Sequence, residues 1–354
     1  MDVEEKYMRR CLQLARNGMR CAAPNPMVGA VLVADNQIVG EGYHVKCGTA
    51  HAEVNAIASV RDPEVLKKST LYVSLEPCSH YGKTPPCADL IIEKGIPRVV
   101  VGCLDPFVHV SGRGVRKLQE AGVEVKVGVC EAECLELNKY FITFHRKKRP
   151  YITLKWAQSA DGFIDAHRDS IEDGAPVTFS TPETRMRVHR LRSEHQAIMV
   201  GTRTALLDNP TLSVRHWSGS SPLRITVDRK GILPSDLKLF DGSQPTRVYT
   251  ECPETAPYAH NPNVTCVTLR PDEEVLTQIM ADLYQEGIQS LLVEGGSRLL
   301  ESFFARGLWD EAFVEQSPFE LGSGVKAPER PMEGFRMGTF DVSGQKILWM
   351  RTLK

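Results

Sequence analysis

The sequence predicts an α/β protein built as two domains, and three observations carry that expectation. The chain has 354 residues, more than one hydrophobic core usually serves. Short β-rich apolar runs alternate with segments of helical period along most of its length, the pattern of sheets covered by helices. The alternation breaks once, at the basic stretch His145-Arg146-Lys147-Lys148-Arg149-Pro150, which reads as a solvated linker. The expected domains are therefore 1–147 and 148–354.

In the first, residues 4–18 place Met8, Cys11, Leu12 and Ala15 at helical spacing and stop at Gly18, as an amphipathic helix does. Residues 28–33 read as a strand, and the turn Ala34-Asp35-Asn36-Gln37 returns the chain through Ile38-Val39-Gly40 as a hairpin. A helix follows from about residue 50 through Val54, Ala56, Ile57 and Val60 to Asp62-Pro63. Residues 71–75 and 99–101 are β-rich, 88–94 and 115–121 helical, and 123–127 a closing strand.

The second series opens with a strand at 151–156. Ser180 and Glu183 have the spacing of a capping box at the head of an arginine-rich helix. Strands are expected at 197–200, 223–227, 247–249, 265–269 and 291–293, and helices at 273–286 and 297–305. The sequence contains no internal repeat and no low-complexity tract.

Composition narrows the function. A hydrophobic content of 42% with 25% charged residues is that of a globular protein, and a net charge of -1 gives no general pull toward nucleic acid or anionic membranes. The start, Met-Asp-Val-Glu-Glu, is acidic where a secretory signal would be basic, and no apolar run approaches the roughly 18 residues of a membrane span. The expected location is the cytoplasm. Ten cysteines spread along such a chain favour reduced thiols or metal ligands over disulfides. Cys130 and Cys134, at i and i+4 with no ligand partner nearby, read as packing residues.

One constellation carries specific chemistry: His51-Ala52-Glu53, then Glu76-Pro77-Cys78, then Pro86-Cys87. One imidazole and two thiolates give three protein ligands to zinc and leave the fourth tetrahedral position for water, the mark of a catalytic site. Glu53 lies two residues from His51, so the two side chains converge only where a helix begins at the metal. A closed Cys2His2 zinc made from His51, Cys78, His80 and Cys87 is the structural alternative, and it leaves Glu53 without a use. The order His-x-Glu then Pro-Cys is that of zinc nucleobase deaminases, but the second cysteine here lies nine positions on rather than three.

The longer loop, Ser79-His80-Tyr81-Gly82-Lys83-Thr84-Pro85-Pro86, resembles that of the deaminase of riboflavin biosynthesis. The likeness extends to Pro24-Asn25-Pro26, Val28-Gly29 and Gly42-Tyr43-His44. It implies a cytidine-deaminase-like three-layer domain. Zinc would lie on His51, Cys78 and Cys87, Glu53 would act as the proton-shuttling carboxylate, and Asn25, His44, Lys83 and Asp105 would contact substrate.

The second half resembles the reductase usually fused to that deaminase, a dihydrofolate-reductase-like domain that binds NADPH. Three landmarks carry the likeness: Leu154-Lys155 to Ser159-Ala160-Asp161-Gly162, then Leu206-Leu207-Asp208-Asn209-Pro210 to Arg215, then Val293-Glu294-Gly295-Gly296-Ser297. The third also has a direct physical use, because glycines before a helix let the backbone approach a phosphate. It is not the dinucleotide fingerprint, and no Rossmann fold is expected. By resemblance, cofactor contacts fall on Gln158, Thr204, Asp208, Gly296, Ser297 and Arg298, and substrate contacts on Lys155, Arg192, Leu212, Arg215 and Glu294. Arginines suit a phosphorylated substrate.

Two positions depart from the pattern. Thr178 stands where an aromatic residue often precedes the helix near Ser180, and Phe107 replaces the asparagine of Asp-Pro-Asn. The resemblance implies a bifunctional enzyme that deaminates a phosphoribosylamino-pyrimidine with zinc and then reduces its ribosyl chain to ribityl with NADPH. The expected partners are that phosphorylated pyrimidine and further copies of the chain, with no nucleic acid and no membrane. Read from residues alone, a zinc deaminase of a tRNA base and a non-catalytic zinc-stabilised binding protein stay open.

Overall fold

The computed structural model describes residues 2–19, 21–79, 81, 85–106 and 112–353. They separate into two compact units, Met1–Lys148 and Arg149–Lys354. Among the described residues, no helix is long and apolar enough to cross a membrane.

The first unit runs α1 (Val3–Ala15), β1 (Gly29–Ala34), β2 (Gln37–Tyr43), α2 (Ala52–Ala58), β3 (Thr70–Leu75), α3 (Cys87–Glu93), β4 (Arg98–Cys103), α4 (Arg113–Glu120), β5 (Glu124–Val127), α5 (Glu131–Leu137) and α6 (Lys139–Lys147). Its sheet has the order β2-β1-β3-β4-β5, antiparallel through β3 and parallel beyond it. The hairpin is as expected, and both turn residues, Asp35 and Asn36, are left-handed (φ 51° and 58°), which matches the twist of the flanking strands. Strand alternation divides the core. Ala30, Leu32, Leu71, Val73, Val99 and Val101 pack under α2, α3 and α4, while Val31, Val33, Tyr72 and Val100 pack under α1 and α5. Helices therefore cover both faces, giving three layers. Cys134 is fully buried in the second cluster, as its packing role requires.

The second unit runs β6 (Tyr151–Gln158), β7 (Phe163–Asp165), α7 (Pro182–Glu194), β8 (Ala197–Val200), α8 (Thr202–Asp208), β9 (Leu223–Val227), β10 (Thr246–Thr250), β11 (Val264–Thr268), α9 (Val275–Gln285), β12 (Ser290–Glu294), α10 (Ser297–Ala305), β13 (Glu311–Gln316), β14 (Val325–Lys326), β15 (Phe335–Val342) and β16 (Gln345–Thr352). Its main sheet has the order β11-β10-β9-β8-β12-β6-β13-β16-β15, parallel as far as β13 and antiparallel for the last two strands. Apolar side chains on one face meet α9 and α10, and those on the other meet α8 and the loops around Leu233–Phe240.

Two expectations change. The basic stretch is not a linker: His145, Arg146 and Lys147 form the last turn of α6, where the Arg146 and Lys147 charges oppose the helix's negative end. Arg149 is buried, with its guanidinium on Asp310 (Nη1–Oδ2 2.6 Å, Nη2–Oδ1 3.0 Å). The capping box at Ser180 is also absent. Pro182, which has no N–H, takes the first helical position, so Thr181 is the cap and its hydroxyl accepts the Thr184 N–H at 3.3 Å. The Ser180 hydroxyl instead donates to Glu315.

Candidate active sites

In the first unit, three short elements bring the expected metal ligands together. His51 has extended backbone and precedes α2, Cys78 follows β3, and Cys87 opens α3. Their ligand atoms all lie within 4.8 Å of one another. Zinc at its usual bond lengths holds a nitrogen and a sulfur about 3.6 Å apart at tetrahedral angles. His51 Nδ1 lies 3.6 Å from Cys78 Sγ and 3.3 Å from Cys87 Sγ, so the donor set fits that ion. The Cys87 backbone N–H donates to Cys78 Sγ (3.3 Å), which closes the ligand loop on itself.

Electrostatics favour a cation here as well. Glu53, in the first turn of α2 and buried, has its carboxyl pushed up to about 7 by desolvation and then by the Cys78 thiolate. Cys78 is held down to about 4, first by the hydrogen bond from Cys87, while Cys87 is pushed up by sharing its proton with Cys78, by burial and by Glu53. The anionic forms of Glu53, Cys78 and Cys87 thus disfavour one another in this buried space, and a divalent ion relieves the repulsion.

His44 and Asn25 form the adjoining wall. Asn25 Nδ2 lies 3.1 Å from His44 Nε2, His44 Nδ1 lies 3.1 Å from the Ala50 carbonyl, and the His44 and His51 rings meet edge to face at 5.5 Å. Donation by the Asn25 amide makes Nε2 the acceptor and leaves the proton on Nδ1. Burial lowers the His44 pKa, in keeping with a neutral ring. Asp105 lies two residues beyond β4, and its backbone N–H is bound by Glu76. Lys83, His80 and Phe107 lie outside the described residues.

The second unit holds a cavity of about 970 Å³. Lys155, Arg192, Leu212, Arg215 and Glu294, the expected substrate contacts, all line it. Thr204, Asp208, Gly296, Ser297 and Arg298, from the expected cofactor set, line it too. Gln158 is not among its lining residues; its side-chain oxygen accepts the Trp156 indole N–H at 2.8 Å. Thr178, at the departing position, is part of the wall.

Several of these residues are committed to one another. Arg192 meets Glu294 through two parallel bonds (Nε–Oε1 2.9 Å, Nη2–Oε2 2.6 Å) and donates through Nη1 to the Ser213 carbonyl. Burial raises the Glu294 carboxyl, Arg192 more than offsets this, and the net shift is downward. Asp208 pairs with the buried Arg168, which also holds Asp165. Leu212 is left-handed (φ 51°), and Arg224 fixes that loop by donating to the Thr211 carbonyl at 3.0 Å. Gly295 and Gly296 both have positive φ (103° and 80°), and a Cβ on either would stand 3.2–3.3 Å from the Thr204 side chain. Only glycine lets the strand end pass that close to α8.

The sequence reading missed His189, Glu315 and Arg168. His189 Nδ1 accepts the Arg215 backbone N–H at 3.0 Å. Burial and then Arg192 and Arg215 lower its pKa to about 4, so the ring is neutral. Glu315 is buried and receives the hydroxyls of Ser180 (2.8 Å) and Thr184 (2.6 Å), with Lys155 Nζ at 3.9 Å. The capping-box spacing hid Ser180's true partner, and the arginine-rich face of α7 gave no reason to single out His189.

Comparison with known proteins agrees with this geometry. Residues 1–103 match the family described as the cytidine and deoxycytidylate deaminase zinc-binding region, and residues 150–339 match the RibD C-terminal domain. The riboflavin biosynthesis protein RibD of Aquifex aeolicus is 42% identical over 327 residues, which cover 92% of this chain and 89% of that protein. The Escherichia coli RibD is 35% identical, with 91% and 90% covered. Among solved structures, the diaminohydroxyphosphoribosylaminopyrimidine deaminase/5-amino-6-(5-phosphoribosylamino)uracil reductase of Thermotoga maritima superposes with a TM-score of 0.88 at 37% identity, and 99% of each chain is covered. Acinetobacter baumannii RibD superposes at 0.85 and 32% identity, again with 99% of each chain covered. The chain belongs to the RibD family of riboflavin biosynthesis, in which a zinc-binding deaminase domain and a reductase domain share one polypeptide.

Proposed function

We propose that residues 1–147 deaminate 2,5-diamino-6-(5-phosphoribosylamino)pyrimidin-4-one, and that residues 148–354 reduce the ribosyl chain of the product with NADPH. One observation carries the reading: His51 Nδ1, Cys78 Sγ and Cys87 Sγ converge at zinc-ligand spacing with a buried glutamate, Glu53, beside them. Zinc held there supplies the Lewis acidity that makes a water nucleophilic at neutral pH.

Glu53 then has the protein's part of the proton work. The buried Glu53 carboxylate takes one proton from the attacking water and passes it to the ring nitrogen, then passes the proton of the added hydroxyl to the amine, which departs as ammonia. Asn25 and the neutral His44 orient the pyrimidine edge, and Lys83 and Asp105 complete its contacts.

In the second unit, NADPH supplies the hydride. Thr204, Asp208 and the turn Gly296-Ser297-Arg298 hold the cofactor, where the glycines let main-chain N–H groups reach a phosphate. Lys155, Leu212 and Glu294 line the substrate side. Arg192, clamped by Glu294, and Arg215 supply the guanidinium groups that suit the substrate phosphate. We place the enzyme in the cytoplasm as a homo-oligomer that handles no nucleic acid; the net charge of -1 supports the last point.

The test is to incubate the purified chain with the diaminopyrimidine ribotide, with and without NADPH, following ammonia and the nicotinamide absorbance. Glu53→Gln should keep its zinc and lose ammonia release by about 10²–10⁴-fold. Full ammonia release from that variant with zinc bound would overturn the mechanism.

A further inference from the structure

Glu76 is buried immediately after β3, two residues before Cys78. A buried carboxylate needs partners, and here the main chain provides four. Oε1 accepts the N–H groups of Gly114 (2.9 Å) and Val115 (3.3 Å), and Oε2 accepts those of Gly112 (2.9 Å) and Asp105 (3.2 Å).

Half of this arrangement is a helix cap supplied from a distance. The residue before α4 is Gly112, which has no side chain to cap it, and Glu76 satisfies the free N–H groups of the first turn instead. The same turn rests on the zinc loop: a Cβ on Gly114 would stand 2.0 Å from the Pro77 carbonyl, next to Cys78. The other half is not needed for capping. Oε2 reaches Asp105 as well as Gly112, so one carboxylate pins the backbone at Asp105 to the start of α4 and to the strand end that leads into the ligand Cys78.

We infer that Glu76 is a positioning residue for the deaminase: it fixes the Asp105 backbone relative to Cys78 and so sets where Asp105 meets the pyrimidine, without touching substrate itself. The inference rests on the reading of Asp105 as a substrate contact. In Glu76→Gln the amide –NH2 cannot accept the N–H groups that one carboxylate oxygen accepts, so part of the clasp opens while the side-chain volume is kept.

The experiment uses the full chain as wild type, Glu76→Gln, Glu76→Asp, Asp105→Ala and Glu76→Gln with Asp105→Ala. It measures zinc content, thermal unfolding, and kcat and KM for ammonia release from the diaminopyrimidine ribotide. Glu76→Gln should keep its zinc and raise KM on the order of tenfold with a smaller change in kcat, as a displaced contact does. The double variant should be within about twofold of Asp105→Ala, because the two residues act as one unit. If Glu76→Gln fails to fold, Glu76→Asp, which keeps the charge on a shorter arm, should show a KM between wild type and Asp105→Ala. Wild-type KM with only a lower unfolding temperature would reduce Glu76 to a helix cap and overturn the inference, as would zinc loss or additive effects in the double variant. Wild-type KM in Asp105→Ala would instead remove the underlying reading of Asp105.

Discussion

Arg192 and Glu294, neighbours in the wall of the reductase cavity, are joined by two parallel hydrogen bonds of 2.9 and 2.6 Å, although 102 residues separate them. Both charges are largely shielded from water, so removing one strands the other. Glu294→Gln should destabilise the protein by about 3 kcal/mol or more in chemical denaturation at pH 7. Since Arg192 holds the Glu294 pKa below its ordinary value of 4.5, that difference should be complete above the ordinary carboxyl range and shrink as the pH falls through the folded value. Replacing both residues with methionine should recover much of the stability and none of the reductase activity.

His189 predicts a second pH effect of distinct origin. Its folded pKa of about 4 lies below the ordinary 6.5, so between these values the unfolded chain binds a proton that the folded site refuses. Its contribution to stability is therefore full above about 6.5 and declines as the pH falls toward 4. The unfolding temperature of His189→Asn should fall less over that interval than that of wild type, and ring resonances of His189 should stay those of a neutral imidazole at pH 6.

Metal removal should separate the two activities. A chelator that strips zinc from His51, Cys78 and Cys87 should abolish ammonia release, and added zinc should restore it. Oxidation of NADPH with the already deaminated substrate should continue in the stripped protein. Simultaneous loss of both activities would contradict the assignment of one reaction to each unit.

Gly42 sets the position of α2 against β2. A Cβ there would lie 2.3 Å from the Ala56 nitrogen and 2.6 Å from the Ala52 carbonyl, and neither backbone atom can give way without moving the helix that carries Glu53. Gly42→Ala should cost about 2 kcal/mol or more in stability. Ammonia release should fall even in the folded fraction, measured per bound zinc.

Legibility in the sequence followed the range of the interactions. His51, Glu53, Cys78 and Cys87 stood out because metal chemistry selects residue types at short spacings, and the structure brings all four together. The central parallel strands β8 and β12 were legible as compact apolar runs buried on both faces. The last strands were not, because β15 lies at the sheet's edge and alternates half-buried with exposed positions, some of them glycine or charged. Arg149 read as linker because its partner, Asp310, lies 161 residues away. Glu76 stood in a quoted motif, yet its four partners are backbone groups, which leave no trace in residue type.

The strand order of the second unit also governs when each half can form on the ribosome. β6, the first strand of that unit to be made, lies between β12 and β13, among the last. One of its hydrogen-bonding edges stays unpaired until β12 emerges at Ser290–Glu294 and the other until β13 emerges at Glu311–Gln316, whereas the sheet of the first unit is complete by Val127. The deaminase half can therefore close early. The reductase half must hold Tyr151–Gln158 open through more than a hundred residues of synthesis, with long loop closures and exposed apolar strand as the consequence. Truncation during translation would then release a folded first domain followed by an unpaired, aggregation-prone strand.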